Sequence, residues 1–125
     1  MALKKLDFVP PDPLIWGDRG VMLTLSVAKL DAAWFYNRVP RGGEPNDGGK
    51  YERAKRWIRQ NGHCGLRASV IAIDEGENHI YFIEGRNRFA ALRDLSYRVV
   101  KVWALRNECD ELSREYAAGK RSARR

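Results

Sequence analysis

The segment at residues 80–95, IYFIEGRNRFAALRDL, constrains the fold more than any other part of the chain. An apolar run typical of a β-strand passes through one glycine, Gly85, into a pattern typical of a helix. At such a junction the first backbone N–H groups of the helix have no intrahelical partner and lie at the positive end of the helix dipole. Arg86 and Arg88 add positive charge there, which is unfavourable unless an anion binds. We therefore predict a phosphate-binding turn formed by Gly85, Arg86, Asn87 and Arg88.

The rest of the chain alternates between strand-like and helix-like patterns. Residues 21–25 predict a strand, and Ser26 is a suitable N-cap for the helix that follows it. We predict a hairpin from strands at 68–74 and 79–83, a further strand at 98–105, and a last helix capped by Asn107 that ends near Ala118. In a chain of 125 residues this succession predicts one α+β domain, with helices packed on a small mixed sheet.

The two ends of the chain differ in composition from its middle. Residues 1–20 carry prolines at positions 10, 11 and 13, and we expect an extended N-terminal arm that lies on the domain. The domain itself is expected to span residues 21–118. Residues 119–125 form a basic tail, which we expect to be disordered.

A long loop and a basic helix lie between these parts. Residues 40–49 contain four glycines and two prolines, which exclude regular structure. Long loops of this kind are often functional, as lids or binding loops, and are otherwise merely disordered. We expect Lys50 to reach a bound phosphate from this loop. A helix is predicted at 51–61, with an apolar stripe of Ala54, Trp57 and Ile58.

Positive charge recurs along the same helix and in the tail. The net charge is +7 and the pI about 9.7, which favours anionic partners such as nucleic acid. The alternative is that the charge serves solubility alone. We predict DNA binding with little sequence preference, because no recognition helix is apparent. The expected phosphate contacts are Arg53, Arg56, Arg59, Arg121, Arg124 and Arg125.

Several other classes of site and location are disfavoured. No apolar run approaches the roughly 18 residues that span a membrane, and the N-terminus lacks the apolar run of a secretory signal, so we expect a cytoplasmic protein without membrane contact. Cys64 and Cys109 make no disulfide framework, and with His63 and His79 they match no common zinc spacing. The four tryptophans are expected in the core, with Trp16 the one candidate for stacking on a base.

Residues 84–92, EGRNRFAAL, resemble the phosphate-binding box of the ParB/sulfiredoxin superfamily. The likeness continues at residues 97–102 and 23–31, and it covers roughly residues 20–105. It implies a ParB/sulfiredoxin-like fold. In the ParB branch the box reads Gly-Glu-Arg-Arg and holds the triphosphate of CTP with magnesium. Here Gly85 and Arg88 match, whereas Arg86 and Asn87 depart from that pattern.

Other branches of the superfamily narrow what the resemblance implies. Some carry an acidic residue before the glycine, as Glu84 does here, whereas sulfiredoxins carry a catalytic cysteine after it, where this chain has Arg86. Reductase chemistry is therefore not expected. Only 20 residues follow Leu105, so we do not expect the helix-turn-helix domain of partition proteins. The chain is more similar to the small nucleases and nucleotide hydrolases of phages and plasmids.

Two functional classes remain open at this point. The first is a metal-dependent phosphoester hydrolase acting on DNA or a nucleoside triphosphate, with Glu84 and Arg88 as catalytic residues. Glu84 would hold Mg²⁺, and the ligand would be ATP or CTP. The second is a non-catalytic adaptor or inhibitor that binds DNA or a protein partner through the same fold. The oligomeric state is left open.

Overall fold

The computed structural model describes residues 8–76 and 79–118, and it confirms the α+β fold class. In this part of the chain, five α-helices and one 3₁₀ turn surround four strands. In chain order these are α1 (Pro13–Trp16), β1 (Gly20–Ser26), α2 (Val27–Ala33), α3 (Lys50–Asn61), β2 (Ser69–Asp74), β3 (His79–Glu84), α4 (Arg86–Asp94), β4 (Val99–Leu105), the 3₁₀ turn (Arg106–Glu108) and α5 (Cys109–Tyr116).

The four strands form one mixed sheet in the order β1-β4-β2-β3. β1 pairs with β4 and β2 with β3, both antiparallel, while β2 and β4 run parallel at the centre. The register between β2 and β3 shifts at Val70, which opposes Glu84. The end of β3 therefore lies beside the start of β2, and α4 begins at this edge of the sheet.

The core lies between one face of the sheet and the helices α2 and α4. Trp34, Phe82 and Phe89 are fully or almost fully buried, and the Trp34 ring lies 4.8 Å from that of Phe82 and 5.4 Å from that of Phe89. Edge-to-face contacts of this kind stabilise a core beyond the area that they bury. The first turn of α4 is partly exposed and the next is wholly buried, so the helix is anchored by its middle and presents its N-terminus.

Of three details predicted for these elements, the structure confirms one and contradicts two. Ser26 caps α2 as predicted, since its Oγ accepts from the Lys29 N–H at 3.1 Å. Asn107 does not cap the last helix, because the 3₁₀ turn Arg106–Glu108 precedes α5 and includes it. Trp57 is 39% exposed, so the prediction that it belongs to the core was wrong.

The described part of the N-terminal segment lies against the domain at Val9. The Val9 N–H donates to the Leu66 carbonyl at 2.9 Å, and the Val9 carbonyl accepts from the Ala68 N–H at 2.8 Å. The segment is not extended throughout, because Pro13–Trp16 forms one helical turn capped by Asp12. The predicted disordered tail, residues 119–125, lies outside the described residues. None of the helices in the described part is long and apolar enough to cross a membrane.

The long loop before α3 is attached to α4 through one carboxylate. Asp94 accepts from the Tyr51 hydroxyl at 2.6 Å, from Arg93 Nε at 2.7 Å, from Arg41 at 2.9 Å and from the Gly42 N–H at 3.1 Å. The Asp94 side chain is only 8% exposed, and its bonds to Tyr51 and Arg93 are partly shielded from water, whereas Arg41 is 69% exposed. They hold the loop, α3 and α4 in one arrangement.

Burial and these bonds together shift the pKa values of Asp94 and Tyr51 in opposite directions. Burial by itself would raise the pKa of Asp94, but the hydrogen bonds from Arg93 and Tyr51 outweigh it and lower that pKa to about 2. Burial and the bond to Asp94 raise the pKa of Tyr51 to about 12. The lowered carboxylate pKa stabilises the fold above the ordinary value of 3.8, and this contribution is lost as the pH falls to about 2.

We expect Asp94→Ala to lower the free energy of unfolding by about 3 kcal/mol at pH 7, because it leaves the buried Arg93 without its principal carboxylate. Tyr51→Phe, the matched control, removes one hydrogen bond and should cost about 1 kcal/mol. Urea unfolding at pH 7 and pH 2.5 measures both. The wild type should lose more stability between these pH values than Asp94→Ala does. A variant Asp94→Ala as stable as the control would contradict the role of this carboxylate.

Candidate functional site

A cleft of about 710 Å³ lies where α3 meets the N-terminus of α4. Five cationic side chains line it and one carboxylate, Glu84, accompanies them. Two asparagines and five apolar side chains complete the polar and apolar parts of its wall. The cations are Lys50, Arg53, Arg67, Arg86 and Arg88, the asparagines Asn37 and Asn87, and the apolar residues Ala54, Trp57, Leu66, Phe82 and Ile83; Gly85 also contributes.

Gly85 lines this cleft at the turn from β3 into α4. Its φ of 81° and ψ of 23° are left-handed, and it stands at the N-cap of α4 without a side-chain hydrogen bond. A Cβ at this position would lie 2.5 Å from Ser69 Oγ and 2.6 Å from the Arg88 guanidinium. The Ser69 hydroxyl donates to the Gly85 carbonyl at 2.8 Å, and so does the Phe89 N–H at 3.0 Å. The three N–H groups ahead of Phe89 therefore remain at the open helix end.

Arg88 is held beneath this turn. Its Nε–H donates to the Arg67 carbonyl at 2.9 Å, which ties α4 to the segment before β2. Burial lowers the pKa of Arg88, the Glu84 carboxylate raises it and Arg67 lowers it again. A guanidinium stays protonated in proteins even so, and Arg88 thus brings a partly desolvated positive charge to the cleft.

Arg86 is the more open of the two arginines of the turn. It lies 3.6 Å from Oε1 of Glu44, a residue of the long loop, and its side chain is 42% exposed. This ion pair is too long for a hydrogen bond, and Glu44 Oε1 has no hydrogen-bond partner among the described residues. Oδ1 of Asn87 is also buried without such a partner in that part of the chain. The turn therefore has unused hydrogen-bonding capacity.

The predicted DNA contacts on α3 do not share one face. Each residue advances about 100° around a helix, so three residues advance about 300°, which is about 60° short of a full turn. Basic residues spaced by three therefore drift around the helix by about 60° at each step. Lys50 and Arg53 line the cleft, whereas Arg56 and Arg59 are exposed elsewhere on the helix. Arg121, Arg124 and Arg125 lie outside the described residues.

Three polar or aromatic residues that line the cleft, and Glu44 beside it, were not identified from the sequence. Arg67 and Glu44 lie in irregular segments without a motif, and Trp57 follows the pattern of a core residue. Asn37 bonds to the Phe82 carbonyl at 2.7 Å across 45 residues, a pairing that no local pattern indicates. Trp16, the tryptophan predicted to stack on a base, does not line the cleft.

The cleft fits a Mg²⁺ ion only together with phosphate. Glu84 is the single carboxylate among its lining residues, and the described part of the chain contains no group of three or more His, Cys, Asp or Glu side chains suited to a metal. Mg²⁺ can be held by one or two carboxylates with phosphate oxygens and water as its other ligands. Glu84 meets the protein's part of that requirement.

Comparisons with family models, with curated proteins and with solved structures give no match to this chain. The resemblance of residues 84–92 to the ParB/sulfiredoxin phosphate box accordingly rests on the sequence alone. A functional conclusion depends on the chemistry of the cleft.

We expect Gly85→Ala to lower the free energy of unfolding by more than about 1 kcal/mol, because the left-handed backbone and the nearby Ser69 and Arg88 atoms both oppose a Cβ. Gly76→Ala is the matched control, since no atom lies within 4 Å of its added Cβ, and it should change stability by less than about 0.5 kcal/mol. Urea unfolding compares the two. Equal effects would show that the turn at Gly85 is not constrained as described.

Proposed function

We propose that this chain is a ParB/sulfiredoxin-like protein that binds the phosphate groups of nucleotides or nucleic acid in the cleft at the N-terminus of α4. The observation that carries the proposal is the gathering of five cations around an uncapped helix N-terminus, with one carboxylate lining the same cleft. Glu44, which lies outside this lining, makes only a long ion pair of 3.6 Å with Arg86.

An anion would relieve the charge imbalance of this cleft. Cations that line one cleft repel one another, and the helix dipole adds to the positive potential. Phosphate oxygens suit both kinds of donor, because guanidinium groups bind them in pairs and free helix N–H groups point at them. A phosphate that approaches Arg86 would compete with Glu44, whose carboxylate occupies part of the same space.

The size of the cleft favours more than a single phosphate. At about 710 Å³ it falls within the range of roughly 300–1,000 Å³ that small-molecule sites occupy. A nucleotide fits that range, and ATP and CTP remain the candidates. Mg²⁺ bound by Glu84 and the phosphates would polarise the phosphate oxygens. If the ligand is DNA, Arg53 would contact a phosphate in the cleft, and Arg56 and Arg59 would contact phosphates outside it, with little sequence preference.

Binding of polyphosphate should depend on Arg86. We expect sodium tripolyphosphate, ATP and CTP to raise the melting temperature, since a ligand at 100 times its Kd adds about 2.7 kcal/mol of stability. Arg86→Gln should weaken each affinity at least about tenfold, because a charge-assisted hydrogen bond contributes about 1.5–3 kcal/mol. Arg86 is the better test than Arg88, whose replacement would also break the bond to the Arg67 carbonyl.

Arg56→Gln is the matched control for this titration, because Arg56 is exposed on α3 away from the cleft. It should alter affinity by less than about twofold, as expected of a screened surface charge. The titrations are run with and without Mg²⁺. If neither tripolyphosphate nor a nucleotide raises the melting temperature at millimolar concentration, the proposed phosphate site is wrong.

A second candidate is hydrolysis of the bound phosphoester. The observation in its favour is the position of Glu84, which lines the cleft directly before Gly85 and interacts electrostatically with Arg88. A carboxylate there is placed to orient a water molecule or to hold Mg²⁺ beside the phosphates. Arg88 would then stabilise charge on the phosphate. Without hydrolysis, the same cleft suits the adaptor, which binds but does not cleave.

Glu84→Gln separates hydrolase from adaptor. For a hydrolase we expect Mg²⁺-dependent cleavage of plasmid DNA or a nucleoside triphosphate to fall at least about 100-fold in this variant, the range typical of general acid–base groups. Binding of tripolyphosphate without Mg²⁺ should be retained, since the substitution removes a negative charge. Cleavage that persists in Glu84→Gln, or that is absent from the wild type, would leave the adaptor as the function.

A further inference from the structure

The cleft has an apolar wall beside its cations. Trp57 on α3 is 39% exposed and Ile83 on β3 is 43% exposed, and both line the cleft. By contrast, Trp34 and Trp103 are 0% and 7% exposed. A large aromatic side chain left open to solvent costs hydrophobic free energy, and its position in a concave site indicates a contact with a ligand.

The position of Trp57 on its helix defines what the wall faces. Trp57 follows Lys50 by seven residues, so the two side chains lie on one face of α3, about 10 Å apart along its axis. Arg53 lies between them on that face. Ile83, on β3, precedes Gly85 by two residues and also lines the cleft. Along α3 the lining therefore changes from cationic at Lys50 and Arg53 to aromatic at Trp57 within about 10 Å, a length comparable with one nucleotide.

From this juxtaposition we infer that Trp57 is a stacking platform for an unpaired nucleobase whose phosphates lie at the N-terminus of α4. The inference rests on the proposed phosphate site and specifies its ligand as a free nucleotide or a single-stranded nucleic acid. Every base presents a π face, so stacking on an indole is strong but tolerant of sequence. Duplex DNA does not meet this requirement, because its bases are stacked on each other and present only their edges in the grooves.

The test compares ligands with and without a base on two variants. Trp57→Leu removes the platform and Trp57→Phe keeps an aromatic ring. Phe35→Leu is the matched control, since Phe35 is 64% exposed and does not line the cleft. The probes are sodium tripolyphosphate, ATP, a ten-residue oligothymidylate and a duplex of the same length. Circular dichroism melting verifies that each variant is folded.

We expect Trp57→Leu to lower the affinity for ATP or for oligothymidylate at least about tenfold, in line with the effect of removing a stacked aromatic side chain. The affinity of Trp57→Leu for tripolyphosphate should change less than about twofold. Trp57→Phe should retain most of the affinity for ATP and oligothymidylate, and Phe35→Leu should bind every probe as the wild type does. ATP should quench the indole fluorescence of the wild type more than that of Trp57→Phe. A response to ATP alone identifies a nucleotide site, and a response to the oligonucleotide identifies a single strand.

Three outcomes would overturn this inference. One is that Trp57→Leu and Trp57→Phe lose affinity for ATP and for tripolyphosphate equally, which would show that Trp57 maintains the shape of the cleft and does not stack on a base. Another is that the wild type binds ATP and oligothymidylate no better than tripolyphosphate, in which case the phosphate site stands and the stacking platform does not. A third is duplex binding with the same dependence on Trp57. Failure of every probe, tripolyphosphate included, would instead reject the proposed function itself.

Discussion

The arrangement of the candidate site depends on the left-handed backbone of Gly85, where β3 turns into α4. Because the Ser69 hydroxyl and the Arg88 guanidinium occupy the space of a Cβ, the turn closes tightly against the start of β2. The tight turn leaves the first N–H groups of α4 without intrahelical partners at the end of β3, and it places Arg86 and Arg88 beside them. The cations of α3 and of the segment before β2 then face the same opening.

Charge is compensated at the C-terminal end of α4 and uncompensated at its N-terminal end. At the C-terminal end the cation of Arg93 is balanced by Asp94 and Asp31, with Tyr51 and Gly42 completing the hydrogen bonds of Asp94. This saturated network supports the loop and leaves little to bind. At the N-terminal end the positive charge exceeds its carboxylate partners, and hydrogen-bonding groups remain unused. A ligand site is expected where the fold leaves charge uncompensated.

Local patterns predicted the elements well and their surroundings poorly. The glycine between an apolar run and a helical pattern located β3, Gly85 and α4, because each of those signals acts within a few residues. Trp57 was assigned to the core, since a helical pattern identifies a stripe but not where the neighbouring elements stop covering it. The regular spacing of basic residues on α3 likewise suggested one basic face, but the rotation of the helix places Arg53 at the cleft and Arg59 away from it.

The amino-acid sequence by itself determined the fold class, the strand-to-helix turn and the excess of positive charge at that turn, since these follow from residue type and short-range spacing. Only the tertiary structure decided which distant residues meet there. Arg67 and Trp57 line one cleft, and Glu44 lies beside it at Arg86. They meet because β2 lies beside the end of β3 and because the Asp94 network holds the loop and α3 against α4. Such meetings depend on packing between elements far apart in the chain, where local propensity carries no information.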